Sequence, residues 1–505
     1  MSETTGGVTP TRPVLPFSEQ TKNEARLLHA YPDSRAVDAA DLAKIARDSG
    51  TVLVVIDDDP TGSQSVSDIP VLTAWHVPDL EWALSQNALV VFVLTNSRSV
   101  DAATAAARNA EVVLNATTAA RNLGKRLTFL SRGDSLLRGH FPDETDAIQN
   151  AVLSAGGRSI DGVIFVPAFP SAGRVTVGGI HYLRSGEDLV PVAQTEFAHD
   201  SSFGFTHSDL REYVQEKTSH RVQSASVVVV GLAHIRTSAE QIVADLSDVS
   251  NGQFVVADCV TDDDLRALCE GLALAESRGK VFLYRTGPAF VGARVGQIQP
   301  EPLDVTEALI GSEEREAGGL VVIGSHVELT NRQLHQLQDG RPNIGDIEMD
   351  VDRIEAVGGA AYLAELAYAV VLALGVNDVI LRTTRSVRTG VDAGESLRIS
   401  RNISSAVSSV VHAVASQCRP RFVVAKGGIT SNDVATDGLE IRRGTIRGPL
   451  LKGLVSLWCP VGGLAQGIPY IVFPGNVGGD SALLAVVDKL SLSGANSATQ
   501  KRNHE

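Results

Sequence analysis

The chain has 505 residues, and 59 Asp and Glu against 44 Lys and Arg give it a formal net charge of −15 at pH 7. Recognition of a phosphate backbone needs a basic face, whereas the nine lysines are scattered from Lys22 to Lys501, so we expect no nucleic-acid partner. The longest apolar run, Leu366–Val376, is shorter than the ~18 residues that indicate a membrane span, so we expect no membrane partner.

The cysteines indicate a reducing compartment. Cys259, Cys269, Cys418 and Cys459 form no CxxC pair, which argues against a disulfide framework and against a zinc site. The first residues lack the basic segment and the continuous apolar segment of a secretory signal. We therefore predict a cytoplasmic protein whose cysteines are buried apolar residues.

Short β-branched runs alternate with longer helical patterns, which predicts an α/β fold with two domains, each with a largely parallel or mixed sheet flanked by helices. In chain order, the nearly continuous apolar runs of the first domain predict strands at Thr51–Ile56, Leu89–Leu94, Gly162–Val166, Ser226–Gly231, Phe254–Ala257 and Lys280–Tyr284. Helices are predicted at Asp101–Leu123, Thr237–Leu246 and Asp262–Arg278. We expect Asp101 to cap the first of these and Gly124 to end it.

A segment with two prolines and six acids, residues 297–317, predicts a linker, in which Val305–Ile310 could form a short helix. After it, strands are predicted at Gly319–Ile323, Asp378–Arg382 and Arg421–Ala425, with a long Ala/Leu helix ending near Gly375. The predicted organisation is a flexible tail (1–20), a first domain (21–296), the linker (297–317), a second domain (318–490) and a second flexible tail (491–505).

Three adjacent carboxylates, Asp57, Asp58 and Asp59, directly follow the first predicted strand. The carboxyl ends of parallel strands face the ligand crevice of an open α/β sheet. Adjacent carboxylates repel one another there unless a metal, an arginine, hydrogen bonds or water compensate them. The residues alone leave two readings open: part of a functional site, or a solvated Asp-rich turn.

Two further strand ends place Arg beside Ser. The first carries Arg98 in TNSRS, and the second carries Asp134, Ser135 and Arg138 in RGDSLLRGH. An arginine fork binds a carboxylate with two hydrogen bonds, while Asp and Ser suit sugar hydroxyls, so the combination suits a polyhydroxy acid. The alternative for any one of these residues is an ordinary ion pair, such as Arg138 with Asp134.

The segment FPSAGRVTVGGIHYL follows another strand and adds Arg174, Thr176 and His181 to the same group of loops. A lone histidine is more often a satisfied structural residue than a ligand, so His181 carries little weight by itself.

Three strand-to-helix turns of the second domain are rich in glycine: GSHVELTNRQL, KGGITSND and PGNVGGDSALL. Glycine lets backbone N–H groups approach an anion closely, and a helix N-terminus supplies partial positive charge, so these turns suit phosphate or nucleotide binding. No GxxxxGK[ST] motif occurs and no GxGxxG motif follows a strand, which argues against a P-loop and against a dinucleotide fold. The chain also lacks HExxH and GxSxG motifs, which disfavours zinc and serine hydrolases.

The motifs DDDPTG, TNSRS, RGDSLLRGH, FPSAGRVTVGG, GSHVELTNRQL, KGGITSNDVA and PGNVGGDSALL, in this order from about Val52 to Val487, resemble those of the four-carbon acid sugar kinase family. The resemblance implies an N-terminal acid-sugar-binding domain and a C-terminal nucleotide-binding domain. It also implies phosphorylation of the terminal hydroxyl of threonate, erythronate or 3-oxo-tetronate by ATP with Mg²⁺ as the cation. The implied substrate contacts are Asp58, Asp59, Arg98, Asp134, Ser135, Leu136, Leu137 and Arg138. The implied ATP contacts are Ser325, Gly427, Gly428, Ile429, Thr430, Gly475 and Gly478.

The sequence departs from the family pattern at three places, of which DSLLRG for DSTLRG removes a hydroxyl at Leu136 from the substrate loop. A carboxylate of Asp58 or Asp59 is our candidate for orienting or deprotonating the attacking hydroxyl, with sugar binding or metal binding as alternatives. A non-catalytic acid-sugar-binding protein remains a second reading, and a hydroxy-acid dehydrogenase lacks its nicotinamide fingerprint. The identity of any metal ligand and the assembly state stay open, with a homo-oligomer as one form.

Overall fold

The computed structural model describes residues 20–312, 315–354, 358–384 and 393–491. Most of both predicted tails therefore lies outside the described residues. The strands are β1 (Lys22–Asn23), β2 (Thr51–Asp57), β3 (Ile69–Leu72), β4 (Val90–Leu94), β5 (Arg126–Arg132), β6 (Gly162–Val166), β7 (Arg174–Val177), β8 (Ile180–Ser185), β9 (Asp188–Pro191), β10 (Val228–Val230), β11 (Gln253–Ala257), β12 (Phe282–Thr286), β13 (Leu320–Ile323), β14 (Gly345–Met349), β15 (Val379–Thr383), β16 (Val423–Lys426), β17 (Arg443–Leu451), β18 (Val455–Pro460) and β19 (Tyr470–Phe473).

The helices are α1 (Glu24–Leu28), α2 (Ala39–Ser49), α3 (Val77–Leu84), α4 (Ala102–Leu123), α5 (Asp143–Ser154), α6 (Leu210–Lys217), α7 (Leu232–Thr237), α8 (Ala239–Leu246), α9 (Asp262–Ser277), α10 (Pro288–Arg294), α11 (Val305–Ala308), α12 (Glu328–Gly340), α13 (Val351–Ile354), α14 (Gly359–Leu374), α15 (Ala393–Gln417), α16 (Gly428–Asp433) and α17 (Ala482–Leu490).

One sheet of fifteen strands runs through both halves of the chain. Eight parallel strands, in the order β10-β11-β6-β12-β5-β2-β4-β3, form an N-terminal block, and β19-β16-β13-β15-β14 form a parallel C-terminal block. The antiparallel hairpin β17-β18 lies between them and pairs with β3 on one side and β19 on the other. The predicted α/β fold, with parallel or mixed sheets flanked by helices, is confirmed.

The connecting hairpin makes the two blocks run in opposite directions, yet their carboxyl ends meet. Each strand-to-strand step of a sheet adds roughly 20–25° of twist. At that average, the six steps from β2 to β16 correspond to a twist of roughly 120–150°. The turns that follow β2 and β16 lie side by side, with Gly428 next to Asp59, and we call the space around them the crevice.

The local predictions hold where the pattern is strong. Helix α4 begins after Asp101, whose side chain accepts a hydrogen bond from Thr104 N, and ends at Gly124, whose left-handed backbone (φ 65°) closes the last turn. The predicted helix Thr237–Leu246 is wrong at its start, because Ser238 is extended and caps α8 with its side chain. Residues Thr51–Asp57 form a strand that is buried on both faces, as expected of a central parallel strand.

The sequence reading missed a second sheet, in which four antiparallel strands run in the order β1-β9-β8-β7. Gly178 (φ 63°) and Gly179 (φ 79°) form the two-residue turn between β7 and β8, and this turn requires positive φ at both positions. These strands are short, and apolar and polar residues alternate only weakly along them, so the sequence did not distinguish them from a loop.

Contacts other than the sheet also join the two halves. The carboxylate of Asp79, on α3, accepts hydrogen bonds from Arg442 Nη2 (2.6 Å) and Arg443 Nε (2.8 Å). Trp458 Nε1 donates to Ser63 Oγ (3.0 Å) in the turn that follows β2. Among the described residues, no helix has the length and apolarity required to cross a membrane.

Candidate functional site

The triple-aspartate segment lies where β2 reaches the crevice, and arginines compensate it. Arg98 donates from Nη2 to Asp58 Oδ1 (2.6 Å), from Nε to Asp58 Oδ2 (3.2 Å) and from Nη1 to Asp59 Oδ2 (3.2 Å). Arg132 Nη1 lies 3.1 Å from Asp58 Oδ1 and 3.2 Å from Asp57 Oδ1. The reading of this segment as a solvated turn is therefore wrong, because Asp57 and Asp58 are 2% and 1% exposed.

Asp57 and Asp59 have opposite protonation tendencies. Burial raises the pKa of Asp57 to about 7, although the Arg132 charge opposes the shift. Burial also disfavours ionisation of Asp59, but the charges of Arg98 and Arg132 outweigh it and hold the pKa of Asp59 below its usual value. Asp59 is therefore ionised at neutral pH, and its side chain is 20% exposed towards the crevice.

The loop 134–138, at the carboxyl end of β5, is held by buried hydrogen bonds. Arg138 Nε donates to Asp134 Oδ2 (2.6 Å), which is the ion pair that the sequence offered as an alternative. Leu137 adopts a positive φ of 68°, and Tyr213 donates to its carbonyl (2.9 Å). Ser135 and Leu136 are buried, so their side chains are part of the loop's own packing.

His181 has the structural role that the sequence favoured, but it acts directly on this loop. Its ring is fully buried, with Nε2 2.8 Å from Ser135 O and Nδ1 2.9 Å from Thr176 Oγ1. Burial lowers the pKa of His181 to about 4, so the ring is neutral. Because a carbonyl can only accept, Nε2 donates to Ser135 and Nδ1 accepts from the Thr176 hydroxyl.

A buried network beneath the loops was not found by sequence reasoning. Arg285, near the end of β12, donates from Nη1 to Ser131 Oγ (2.9 Å) and to Glu144 Oε2 (3.2 Å). Ser97 donates to Glu144 Oε1 (2.5 Å), which ties the loop after β4 to helix α5. The available signal was an arginine near the carboxyl end of a buried strand, the position that also marks Arg132.

The described residues provide no preformed metal centre. They contain no cluster of three His, Cys, Asp or Glu side chains arranged to hold a metal ion. The oxygens of Asp58 already accept from Arg98 and Arg132, and those of Asp59 accept from Thr61 and Arg98. Mg²⁺ commonly binds through substrate phosphates and only one or two carboxylates, so these residues do not define its position and we derive no step from it.

Across the crevice, the second half contributes backbone rather than charge. Gly427 adopts φ 116° and ψ 147°, a conformation almost restricted to glycine, and its N–H donates to Phe473 O (2.8 Å) before α16 begins at Gly428. A Cβ on Gly427 would lie 3.1 Å from the Cβ of Ser325 and 3.4 Å from Thr430 Oγ1. The turns after β13 and β16 therefore converge at close quarters.

The third glycine turn, residues 474–479, packs beside the other two. A Cβ on Gly475 would lie 3.0 Å from Ser325 Oγ, and Thr330 Oγ1 donates to Gly475 O (3.0 Å). The buried Gln333 donates from Nε2 to Val477 O (3.0 Å) and to Gly479 O (2.9 Å). Gly478 (φ 79°) lies in this loop, and α17 begins only at Ala482. The sequence showed the glycines of this loop but not Gln333, whose side chain holds the loop in place.

Lys426 is buried beneath these turns. Its Nζ donates to Pro474 O (2.7 Å) and Gly475 O (3.3 Å) and lies 4.1 Å from the centre of the Phe473 ring. Burial lowers the pKa of Lys426 to about 7. Ile429, which follows Gly428, is 60% exposed.

The two sides of the crevice meet at Asp59. An ideal Cβ built on Gly428 would lie 3.6 Å from Asp59 Oδ2. An ionised carboxylate of the N-terminal block therefore lies against the glycine turn of the C-terminal block. The arrangement places a polar, charged binding surface beside a backbone turn suited to anions.

A cavity of about 990 Å³ lies elsewhere, at the amino ends of β2, β5 and β12. Its basic lining caps chain ends around the helices: Arg126 donates to Ser49 O, Arg158 Nη2 to Gly279 O (2.9 Å) and Lys280 Nζ to Ser247 O (2.6 Å). Cations are favoured at helix carboxyl ends, so their charge is explained without a ligand. We therefore take the crevice, and not this cavity, as the candidate site.

Comparison with known proteins agrees with this division. Residues 53–294 match a family model described as a sugar-binding N-terminal domain, and residues 320–483 match one described as a nucleotide-binding C-terminal domain. These two models divide the chain into the two parts of one family of proteins, with a sugar-binding domain followed by a nucleotide-binding domain. The chain belongs to the four-carbon acid sugar kinase family.

A D-erythronate kinase of Heliobacterium modesticaldum is 27% identical to this chain over 297 residues, which are 57% of this chain and 60% of the kinase. The match thus spans less than two thirds of that relative. A solved structure from Salmonella typhimurium LT2 has a TM-score of 0.63 at 17% identity and covers 88% of this chain and 100% of its own. One from Haemophilus influenzae has a TM-score of 0.58 at 17% identity, with 86% and 98% covered. These two share the fold.

Proposed function

We propose that the protein is an ATP-dependent kinase that phosphorylates the terminal hydroxyl of a four-carbon acid sugar. The observation that carries the proposal is the contact between Asp59 and the Gly428 turn. Phosphoryl transfer depends mainly on alignment of the hydroxyl with the phosphate and on stabilisation of charge, so the acceptor site and the nucleotide site must adjoin. Family membership and the similarity to a D-erythronate kinase support the acid sugar as acceptor.

In this proposal, Asp59 accepts a hydrogen bond from the attacking hydroxyl. The charges of Arg98 and Arg132 outweigh the effect of burial and keep the pKa of Asp59 low. A carboxylate with a low pKa is a weak base, so the role proposed for Asp59 is to orient the hydroxyl. A strong base is not required when the transition state is loose. Asp58, which accepts three hydrogen bonds from arginines, fixes Arg98 and thereby Asp59.

The nucleotide side is assigned to the three glycine turns. We propose that backbone N–H groups at Gly428, Ile429 and Thr430 approach the phosphates, with Gly427 shaping the turn and Ser325, Gly475 and Gly478 completing the site. Mg²⁺ would arrive with ATP and neutralise phosphate charge. The substrate contacts Arg98, Asp134, Ser135, Leu136, Leu137 and Arg138 belong to the same proposal.

The test is a coupled assay of ADP release over a panel of four- to six-carbon sugar acids, with D-erythronate and threonate included. We expect at least one four-carbon acid to stimulate ADP release in the wild-type protein, and Asp59→Asn to remove that stimulation. Binding of both ATP and an acid by calorimetry, without ADP release for any acid, would instead identify a non-catalytic acid-sugar-binding protein.

A further inference from the structure

Arg174 lies near Asp134 and Arg138 of the loop 134–138 and has an N–H group that no described residue accepts. It begins β7, beyond the carboxyl end of β6, and its Nη1 donates to Ala172 O (2.6 Å). Its Nε is buried and has no hydrogen-bond partner in the described part of the chain. Burial lowers the pKa of Arg174, with Asp134 opposing the shift and Arg138 adding to it. A desolvated guanidinium with unpaired donors is costly unless an anion completes its shell.

Arg98, by contrast, is already committed. Its Nε, Nη1 and Nη2 each donate to Asp58 or Asp59, so only two of its five N–H groups, one on each Nη, remain for a substrate. Arg138 uses only Nε, on Asp134, and its two Nη groups make no hydrogen bond to any described residue. Arg138 and Arg174 both lie close enough to Asp134 for their charges to interact with its carboxylate. Both arginines also keep N–H groups that donate to no described residue.

We propose that Arg174, with Arg138, binds the carboxylate of the acid sugar, and that Arg174 selects an acid over a neutral polyol. The inference rests on the proposed function and adds the direction in which the substrate lies. Arg174 and Thr176 lie on the same face of β7, and Thr176 is linked through His181 to Ser135, in the loop that also carries Asp134 and Arg138. The terminal hydroxyl then lies at Asp59 and the carboxylate at Arg174.

The test is Arg174→Gln, which keeps polarity and removes the charged fork. We expect KM for the preferred acid to rise at least about 30-fold, while KM for ATP stays unchanged. The preference for D-erythronate over erythritol, the polyol without the carboxylate, should fall by a similar factor. The matched control is Arg211→Gln, because Arg211 pairs with Asp209 outside the crevice (2.6 Å) and should leave both constants at wild-type values.

Two readouts separate this inference from the proposed function. Calorimetry with D-erythronate and threonate in the absence of ATP measures the clamp without turnover, and loss of acid binding in folded Arg174→Gln supports it even if no ADP is released. An unchanged acid KM in an active Arg174→Gln variant overturns the clamp and leaves the kinase standing. A fall in Tm with unchanged acid affinity would mean that Arg174 only stabilises the turn at Ala172, and it would also overturn the proposed carboxylate clamp. If wild-type protein binds no acid, both proposals fail.

Discussion

The two sides of the crevice use opposite chemistry. The side proposed for the acid sugar is built from charged side chains, with Arg98 and Arg132 bound to Asp58 and Asp59. The side proposed for the nucleotide is built from glycine backbone, and the cation beneath it, Lys426, donates to carbonyls. Arginine side chains recognise the geometry of a small carboxylic acid, because they bind it with two hydrogen bonds. Backbone N–H groups bind the phosphates of a nucleotide whatever its base is. Selectivity for the acceptor should therefore respond to charge substitutions on one side, and nucleotide affinity to bulk on the other.

The largest effect is expected at the point where the two sides meet. Asp59→Asn removes the charge that we propose orients the hydroxyl, and it should lower kcat by about 10²–10⁴-fold, the range for a positioned acid or base. ATP affinity should change little, since the nucleotide turns are unaltered. Single-turnover phosphorylation at saturating ATP and acid is the measurement. The exposed Asp68→Asn is the control, and a wild-type rate in folded Asp59→Asn would remove Asp59 from the chemical step.

Alanine substitutions at Gly428 and Gly427 distinguish the effect of an added side chain from the effect of backbone strain. A Cβ on Gly428 meets Asp59 Oδ2 at an ordinary 3.6 Å, so Gly428→Ala should keep its Tm but weaken ATP binding by about 10-fold, because the methyl group fills the approach to the phosphates. Gly427→Ala should also lose stability, on the order of 1–3 kcal/mol, because φ is 116° there. Calorimetry and thermal melts distinguish them. Equal nucleotide affinity in wild type and Gly428→Ala would contradict the assignment.

Lys426 should make the stability of the protein depend on pH. Its folded pKa of about 7 lies below the unfolded value of 10.5. Between these values the unfolded state binds more protons, so this residue's contribution to stability rises with pH from about 7 to 10 and is least favourable below 7. The Tm of the wild-type protein relative to that of Lys426→Met should therefore increase from pH 7 to pH 10. The corresponding change in the free energy of unfolding is at most ~5 kcal/mol. A constant difference in Tm across this range would mean that the buried ammonium does not titrate there.

The smallest effect is expected at the joint between the halves. Asp79→Asn weakens the bonds to Arg442 and Arg443, whose side chains are 57% and 32% exposed, but leaves the β3-β17 ladder intact. We expect a loss of roughly 1 kcal/mol and less than a twofold change in kcat/KM. Thermal melts and steady-state kinetics measure both. A large loss of kcat alone would show that this ion pair sets the alignment of the two sides.

Strong local signals were sufficient for much of the fold. Asp101 and Gly124 bounded α4 because a cap and a left-handed stop act within one turn of chain. The strand ends at Asp58, Arg98 and Asp134 were identified because parallel strands present their carboxyl ends at one edge. The β7-β8-β9 sheet was missed because short hairpin strands gain stability from packing rather than from their own pattern.

By itself the sequence determined the α/β class, the order of the motifs and the types of residue at each strand end, since these follow from periodicity and turn chemistry. Only the tertiary structure decided which groups pair. Arg98 is bound to Asp58 and Asp59 while Arg174 retains an unpaired Nε, and both outcomes depend on side-chain directions after folding. The meeting of Asp59 with Gly428, residues far apart in the chain, depends on twist accumulated over six strand steps, which no local pattern encodes.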